Sequence, residues 1–414
     1  MSSAARPRTT PHRSRRVLGA AVATVVLSAG CGLSGATPEE GSADDPIVIG
    51  MSLPLSGPAA DRAKPGMAGY QYWVDEVNAN GGLLGRQVEL KVLDDGFDQQ
   101  TAISDYNRLI SQDKVDLLLG TFSSDLNLAV APVAERFKYL YIQPSGGADE
   151  IFARDFKYLF FAQPATTQRL PNQFVELIER LPAATRPKTV ALVQQDDPNT
   201  TQAAEIFEKR LGELGVTTVY DQTYAPDTSN FDTIANAVKQ ADPDVVISGA
   251  VTSDGVGIVR SLQKVGFSPE MFYQENAPTS PTYAQAIGAA NTEGIFTPIA
   301  YSTETDLAGN KDFVAGYTKK NGAPPDEDAA NSYTAGQVLA ATVKAVGKLD
   351  QAAMAKWLHE NTVATIVGPL SWDAAGRPQG ELLLAQYQSG TLKVVAPDAA
   401  ANADVLHPKP GWRP

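Results

Sequence analysis

The chain has 414 residues, a net charge of −13 and a single cysteine. That length suggests two domains rather than one core. So acidic a body is a poor match for nucleic acid, whose phosphates need clustered Lys and Arg. One cysteine allows no intrachain disulfide, so the fold must rest on core packing.

Five arginines (Arg6, Arg8, Arg13, Arg15, Arg16) precede an apolar run over 17–27, and small residues then lead to Cys31. A basic start, a short apolar core and small residues at the cleavage point are the layout of a secretory signal. The run is too short for a transmembrane helix, which needs about 20 apolar residues. The stretch Leu27-Ser28-Ala29-Gly30-Cys31 resembles a bacterial lipobox, with Ser28 where such boxes usually carry Leu. Residues 1–30 are therefore expected to be a lipoprotein signal peptide, and Cys31 to carry the lipid. Ser14-Arg15-Arg16 also offers a twin-arginine export reading. Removing the leader takes away its five positive charges, so the remainder carries about −18. Such a body would be repelled by anionic lipid, which favours an anchor over a basic face. Residues 31–46, rich in Gly, Ser and acids, are expected to be a flexible tether.

Beyond the tether, 47–54 reads as a strand feeding a Pro/Ser/Gly loop. Met67, Tyr70, Trp73, Val74 and Val77 predict a helix over 66–80, stopped by Asn80-Gly81-Gly82. Strand 88–93, helix 101–113, strand 115–119, helix 126–137 and strand 139–142 continue the pattern. A second run follows: helix 171–181, strand 189–193, helix 200–214, strand 217–220, helix 231–240, strand 245–248, helix 255–265 and a strand from 270. Helices are predicted over 311–320, 329–348 and 352–361. Segments 368–373 and 382–387 read as an antiparallel pair. Strands alternating with helices indicate parallel sheet with crossover helices. The fold class is therefore α/β, with two such domains.

Open α/β sheets bind ligands beyond the carboxyl ends of their strands, and those ends are rich here in small and polar residues. Ser123, Ser124 and Ser145 beside helix N-termini suit a carboxylate, or act as N-caps. Glu275 suits an ammonium, or is a solvated loop acid. Together they describe a zwitterion site. No HExxH, GxSxG, P-loop or paired Cys/His spacing occurs, and only three histidines are present. Asp94-Asp95 with Asp98 reads as turn residues rather than a metal cluster. No catalytic residue, metal or cofactor is expected.

The marks Leu55-Ser56-Gly57, Asn78-Ala79-Asn80-Gly81-Gly82 with Gly85, Asp94-Asp95, Gly120 with Ser123-Ser124, Gln143-Pro144-Ser145, and Gly368-Pro369-Leu370-Ser371-Trp372-Asp373 with Gly376 stand in a specific order and spacing. The chain resembles the leucine/isoleucine/valine-binding class of extracytoplasmic solute-binding proteins. The resemblance implies a type I periplasmic-binding-protein fold: two doubly wound parallel-sheet lobes that close like a Venus flytrap, joined by three crossovers. Lobe 1 is expected to be 47–163 plus 298–366, lobe 2 to be 164–297 plus 367–398, and 399–414 a C-terminal tail. It implies that Ser124 meets the ligand carboxylate, that Ser145 and Gly147 offer main-chain contacts, with no hydroxyl at Gly147, and that Glu275 meets the ammonium. Positions that hold aromatics in branched-chain binders are Asn199, Val251 and Arg62 here, so the side-chain pocket is rebuilt. Arg62 either pairs with an anionic ligand group or points to solvent.

The resemblance implies a lipid-anchored binding protein of an ABC importer, monomeric, delivering an amino acid or related small polar molecule to membrane permease subunits. Two alternatives stay open: a sensory receptor of the same fold, with an amide, urea-like molecule or aromatic acid as ligand, and, more distantly, an extracytoplasmic hydrolase.

Overall fold

The structure, a computed structural model, describes residues 45–280 and 282–413. The expected leader, Cys31 and most of the tether lie outside the described residues.

The first lobe begins β1 (Ile47–Leu53), α1 (Ala60–Ala79), β2 (Val88–Asp94), α2 (Gln99–Ser111), β3 (Leu117–Leu119), α3 (Ser124–Phe137), β4 (Tyr141–Gln143), α4 (Asp149–Phe152) and β5 (Leu159–Phe161). These strands are all parallel, in the order β2-β1-β3-β4-β5. The second lobe continues α5 (Asn172–Arg180), β6 (Thr189–Gln195), α6 (Pro198–Glu213), β7 (Thr217–Tyr224), α7 (Asp232–Ala241), β8 (Val245–Ala250), α8 (Thr252–Val265), β9 (Met271–Asn276), α9 (Tyr283–Ile287) and β10 (Ile295–Ile299). Its order β7-β6-β8-β9-β10 repeats the first arrangement. Both sheets reverse direction beside their first strand, at β1/β3 and at β6/β8, and a doubly wound sheet opens a ligand crevice there.

The chain then returns to the first lobe as α10 (Asn310–Asn321), α11 (Glu327–Val346) and α12 (Gln351–Glu360). Phe313, Val338, Leu339 and Leu358 from these helices share one buried core with Ile47, Ile49, Tyr70 and Trp73. Helices α1 and α11 approach closely. A Cβ on Gly69 would lie 2.1 Å from the Ala329 carbonyl oxygen, and one on Gly336 would lie 2.3 Å from the Trp73 ring. That contact explains the start of α1. The helical spacing of Met67, Tyr70, Trp73, Val74 and Val77 puts that start at residue 66. Instead α1 begins at Ala60 and carries Pro65 inside it, since Ala63, Gly66, Gly69 and Tyr70 are all buried and their packing offsets the helical hydrogen bond that proline removes. Several helices start on aspartate caps: Asp98, Asp197, Asp326 and Asp350 each accept a backbone N–H of the first turn, which stabilises a helix by about 1 kcal/mol each.

The predicted pairing of 368–373 with 382–387 is not what forms. The antiparallel strands β11 (Val363–Thr365) and β12 (Gly368–Leu370) pair with each other. Likewise β13 (Leu383–Gln388) pairs with β14 (Thr391–Ala396), and β13 also lies antiparallel on β10. Both new pairs are local hairpins, and short loops cost less closure entropy than long ones. Ser389 (φ 53°) and Gly390 (φ 80°) supply the positive φ values that a two-residue hairpin turn requires.

Three passages join the lobes, and their residues Ala165, Ala300 and Leu382 pack into one small buried cluster. The Gly380 N–H donates to the Pro164 carbonyl at 2.8 Å, tying the first passage to the third. The third passage lies later in the chain than residue 367, because Leu370, Trp372 and Ala375 still pack in first-lobe cores. Trp372 fixes this stretch: its ring meets Phe160 edge-on at 5.7 Å, and its Nε1 donates to the Phe161 carbonyl at 2.7 Å. The C-terminal segment straps the second lobe. Gln386 brackets Leu406 with two 2.8 Å hydrogen bonds, and Trp412 Nε1 donates to the Phe267 carbonyl at 2.6 Å.

Candidate functional site

The two switch points face one cavity of about 370 Å³ between the lobes. Ser123, Ser124, Ser145, Gly147 and Arg62 stand on its first-lobe wall, and Asn199, Val251 and Glu275 on its second-lobe wall. All eight candidate residues therefore meet at one place.

The first-lobe wall is a cradle of backbone. Asn127, on α3, donates through Nδ2 to the carbonyls of Thr121, Ser123 and Ser145 (3.3, 2.7 and 2.9 Å), and Tyr141 Oη donates to its Oδ1 at 2.7 Å. That buried amide locks the β3 loop against the β4 loop. The loops are so close that a Cβ on Gly146 (φ 88°) would lie 2.6 Å from the Ser123 carbonyl oxygen. Ser123 caps α3, its Oγ accepting from the Leu126 N–H at 3.3 Å. Ser145 Oγ accepts from the Ser123 N–H at 3.3 Å. Ser124 Oγ accepts from the Ala148 N–H at 3.2 Å and keeps its hydroxyl proton to donate. The first N–H groups of α3 have no intrahelical acceptor. One hydroxyl donor beside a helix N-terminus can hold a carboxylate.

On the second lobe, Glu275 is the last residue but one of β9 and is only 2% exposed. Asn199 Nδ2 donates to its Oε1, and the Thr167 hydroxyl donates to Asn199 Oδ1. Asn276 Nδ2 also reaches Oε1, at 3.4 Å. The Thr167 N–H in turn donates to the Gly147 carbonyl at 2.8 Å. This relay runs from the first-lobe cradle through a short 3-10 turn of the first passage to Glu275. Asn199 thus holds Glu275 with one amide N–H while its oxygen is engaged by Thr167. Burial, and then the charge of Asp197, push the Glu275 carboxyl up to about 8. Asp197 is the cap of α6, and burial with the charges of Asp125 and Asp196 pushes it to about 6. Ser123 (φ 72°) and Asn276 (φ 61°) hold left-handed backbone beside Ser124 and Glu275, the kind of local strain that collects at functional sites.

Arg62 does not point to solvent, nor does it present a free cation. Its guanidinium is bidentate on Asp328, with Nε–Oδ2 at 2.7 Å and Nη2–Oδ1 at 2.9 Å, and it lies over the Phe122 ring at 5.5 Å. Burial alone would lower its pKa, but Asp328, Glu327 and Asp326 outweigh that and raise it. Val251 precedes α8 and remains 39% exposed at the cleft.

A family model described as periplasmic binding protein matches residues 46–391. The chain belongs to the periplasmic binding protein family. Leu/Ile/Val-binding protein homolog 7 of Brucella suis is 28% identical over 401 residues, spanning 93% of this chain and 99% of that protein. Among solved structures, LivJ from Streptococcus pneumoniae in complex with isoleucine superposes with a TM-score of 0.76 at 21% identity, covering 88% of this chain and all of that one. A solute-binding protein of an ABC transporter from R. palustris in complex with benzoate gives 0.76 at 24% identity, covering 87% and 98%. This periplasmic binding protein is therefore of type I, in the class that includes Leu/Ile/Val-binding proteins.

Several cleft residues of this binding protein escaped the sequence reading. Asp197 was visible as Asp-Pro before a helix, the pattern of a cap followed by proline at the first helical position. Glu327 and Asp328 sat in an acidic helix start, but their ties to the Ala300 N–H and to Arg62 span 27 and 266 residues. Burial pushes the Glu327 carboxyl up to about 7. Thr167 carried no signal at all. Among the described residues no helix is long and apolar enough to cross a membrane, and no three metal-ligating side chains gather to hold an ion.

Proposed function

We propose that this chain is the lipid-anchored substrate-binding component of an ABC importer, taking a free amino acid between its lobes. The ligand carboxylate lies against Ser124 and the N-terminus of α3, and its ammonium against Glu275. The protein works as a monomer, held by Cys31, and delivers its ligand to membrane permease subunits. The observation that carries this reading is Glu275: a 2%-exposed carboxylate, oriented by Asn199, on the wall of a cavity about the size of a small ligand. A buried carboxylate needs a donor partner, and an ammonium supplies one together with its charge.

Binding proteins of this kind perform no reaction; they need an open and a closed form that differ in ligand affinity. A thermal-shift panel of amino acids, amides, small peptides and aromatic acids tests the reading, since a ligand that binds only the folded state raises its Tm. Shifts with amino acids that vanish in Glu275→Gln support it. Shifts with aromatic acids alone would favour the other ligand class and overturn it.

A further inference from the structure

The lobes face each other across the cleft with like charge. Asp125, in the first turn of α3, stands on one side; Asp196 and Asp197, between β6 and α6, stand on the other, with Glu275 at the end of β9. Burial first, and then the nearest neighbour's charge, raises Asp125, Asp197 and Glu275 in turn. Arg62 is the only basic residue lining this cavity among the described residues, and Asp328 occupies it.

One buried acceptor of the cavity wall is open. On the second-lobe wall, Glu275 Oε1 already receives Asn199 and Asn276. Asn331, on α11 and 4% exposed, lines the cavity, and its buried Oδ1 has no partner. Open acceptors in a buried wall are costly until a donor meets them. With Asp125, Asp196 and Asp197 also lining the cavity, the partner that fits is a hydrogen-bond donor with positive charge.

We infer, resting on the amino-acid reading above, that the ligand carries a second cationic nitrogen on its side chain, as lysine, ornithine and arginine do, seated between Asp125 of one lobe and Asp197 of the other. Without that charge, closure brings carboxylates together. With it, closure places one cation between two acids, so the same contact selects the ligand and drives the lobes shut. An anion such as benzoate meets only repulsion there.

The test is calorimetric titration of the purified protein, and of its Asp197→Asn variant, with lysine, ornithine, arginine, leucine, benzoate and putrescine. Asparagine caps a helix as well as aspartate does, so the variant removes charge and keeps α6. The expected result is that at least one basic amino acid binds about tenfold or more tightly than leucine, and that Asp197→Asn erases that advantage. Unfolding midpoints without ligand check that the variant is folded, and loss of the lysine advantage at raised ionic strength gives the same answer in the unaltered protein. Leucine or benzoate binding more tightly than every basic amino acid overturns the inference, as does an unchanged lysine affinity in Asp197→Asn. Failure of the underlying reading looks different: putrescine, a dication without a carboxylate, would then bind as well as lysine or better.

Discussion

The Asn199 side chain donates to Glu275 across a separation of 76 residues, and Thr167 fixes which way that amide faces. The resemblance implies an aromatic here in branched-chain binders; in this chain the position supports Glu275, the proposed partner of the ligand ammonium. Replacing Asn199 has a different consequence from the one its position suggests. Asn199→Tyr should not redirect the site toward larger apolar side chains. It should weaken every amino-acid ligand, as should Asn199→Ala, because Glu275 loses the donor that orients it. A hydrogen bond to a charged group contributes about 1.5–3 kcal/mol, so affinity should fall by about tenfold or more. Titration calorimetry over a ligand panel checks this, and a gain for any large apolar ligand in the Tyr variant would count against it.

A pH dependence follows from the raised carboxyls. Glu275 is held at about 8, Glu327 at about 7 and Asp197 at about 6, from ordinary values of 4.5, 4.5 and 3.8. Between its ordinary and its raised value, each group binds more protons folded than unfolded. Stability without ligand should therefore decline as pH rises through that window, about pH 4 to 8. Ligand affinity should run the other way and rise toward pH 8, because the ammonium meets the ionised form of Glu275. Binding near neutral pH should release a proton, read as a buffer-dependent heat. Affinity independent of pH between 5 and 8, about the window of those shifts, would contradict the assignment.

The ion pair of Arg62 and Asp328 is mostly buried, with side chains 12% and 13% exposed. Arg62→Ala strands Asp328 beside Glu327 and Asp326, and losing one partner of a buried pair costs about 3–5 kcal/mol. The double variant Arg62→Ala/Asp328→Ala should recover a large part of that loss. Urea unfolding of the two single variants and the double one measures the coupling. Additive single effects would mean that the pair holds little.

Gly69→Ala tests the α1–α11 contact. Its methyl would lie 2.1 Å from the Ala329 carbonyl oxygen, so the helices must separate. Overpacking of this kind costs about 1–3 kcal/mol. The lowered urea midpoint should appear with little change in ligand affinity, because the contact lies outside the cleft.

What the sequence made legible, and what it hid, divides by distance along the chain. Strand–loop–helix order, the capping aspartates and the small-residue loops are local signals, and they located Ser123, Ser124, Ser145 and Glu275 on one wall or the other. The Arg62–Asp328 pair and the Thr167–Asn199–Glu275 relay join distant segments through side chains alone, which leave no periodicity to read. The first turn of α1 was missed because its apolar spacing begins only at Met67, and the cost of Pro65 inside the helix is offset by packing. The Ser389-Gly390 hairpin is legible in principle, since its turn residues lie between two short apolar runs. Side-chain acids posed the same difficulty: the Asp-Pro pattern marks Asp197 as a cap, but nothing local shows that it is half-buried in the cleft while Asp196 beside it is exposed.

The central claim is that Glu275 reads a ligand ammonium. Calorimetric titration of amino acids into the protein and its Glu275→Gln variant at pH 8, about the raised value of that carboxyl, tests it most directly. Glutamine keeps the size and the bond from Asn199 and removes only the charge. The account predicts binding with proton release in the protein, and an affinity at least about tenfold weaker in the variant with no proton released. Equal affinity in the two, in a folded variant, would contradict it.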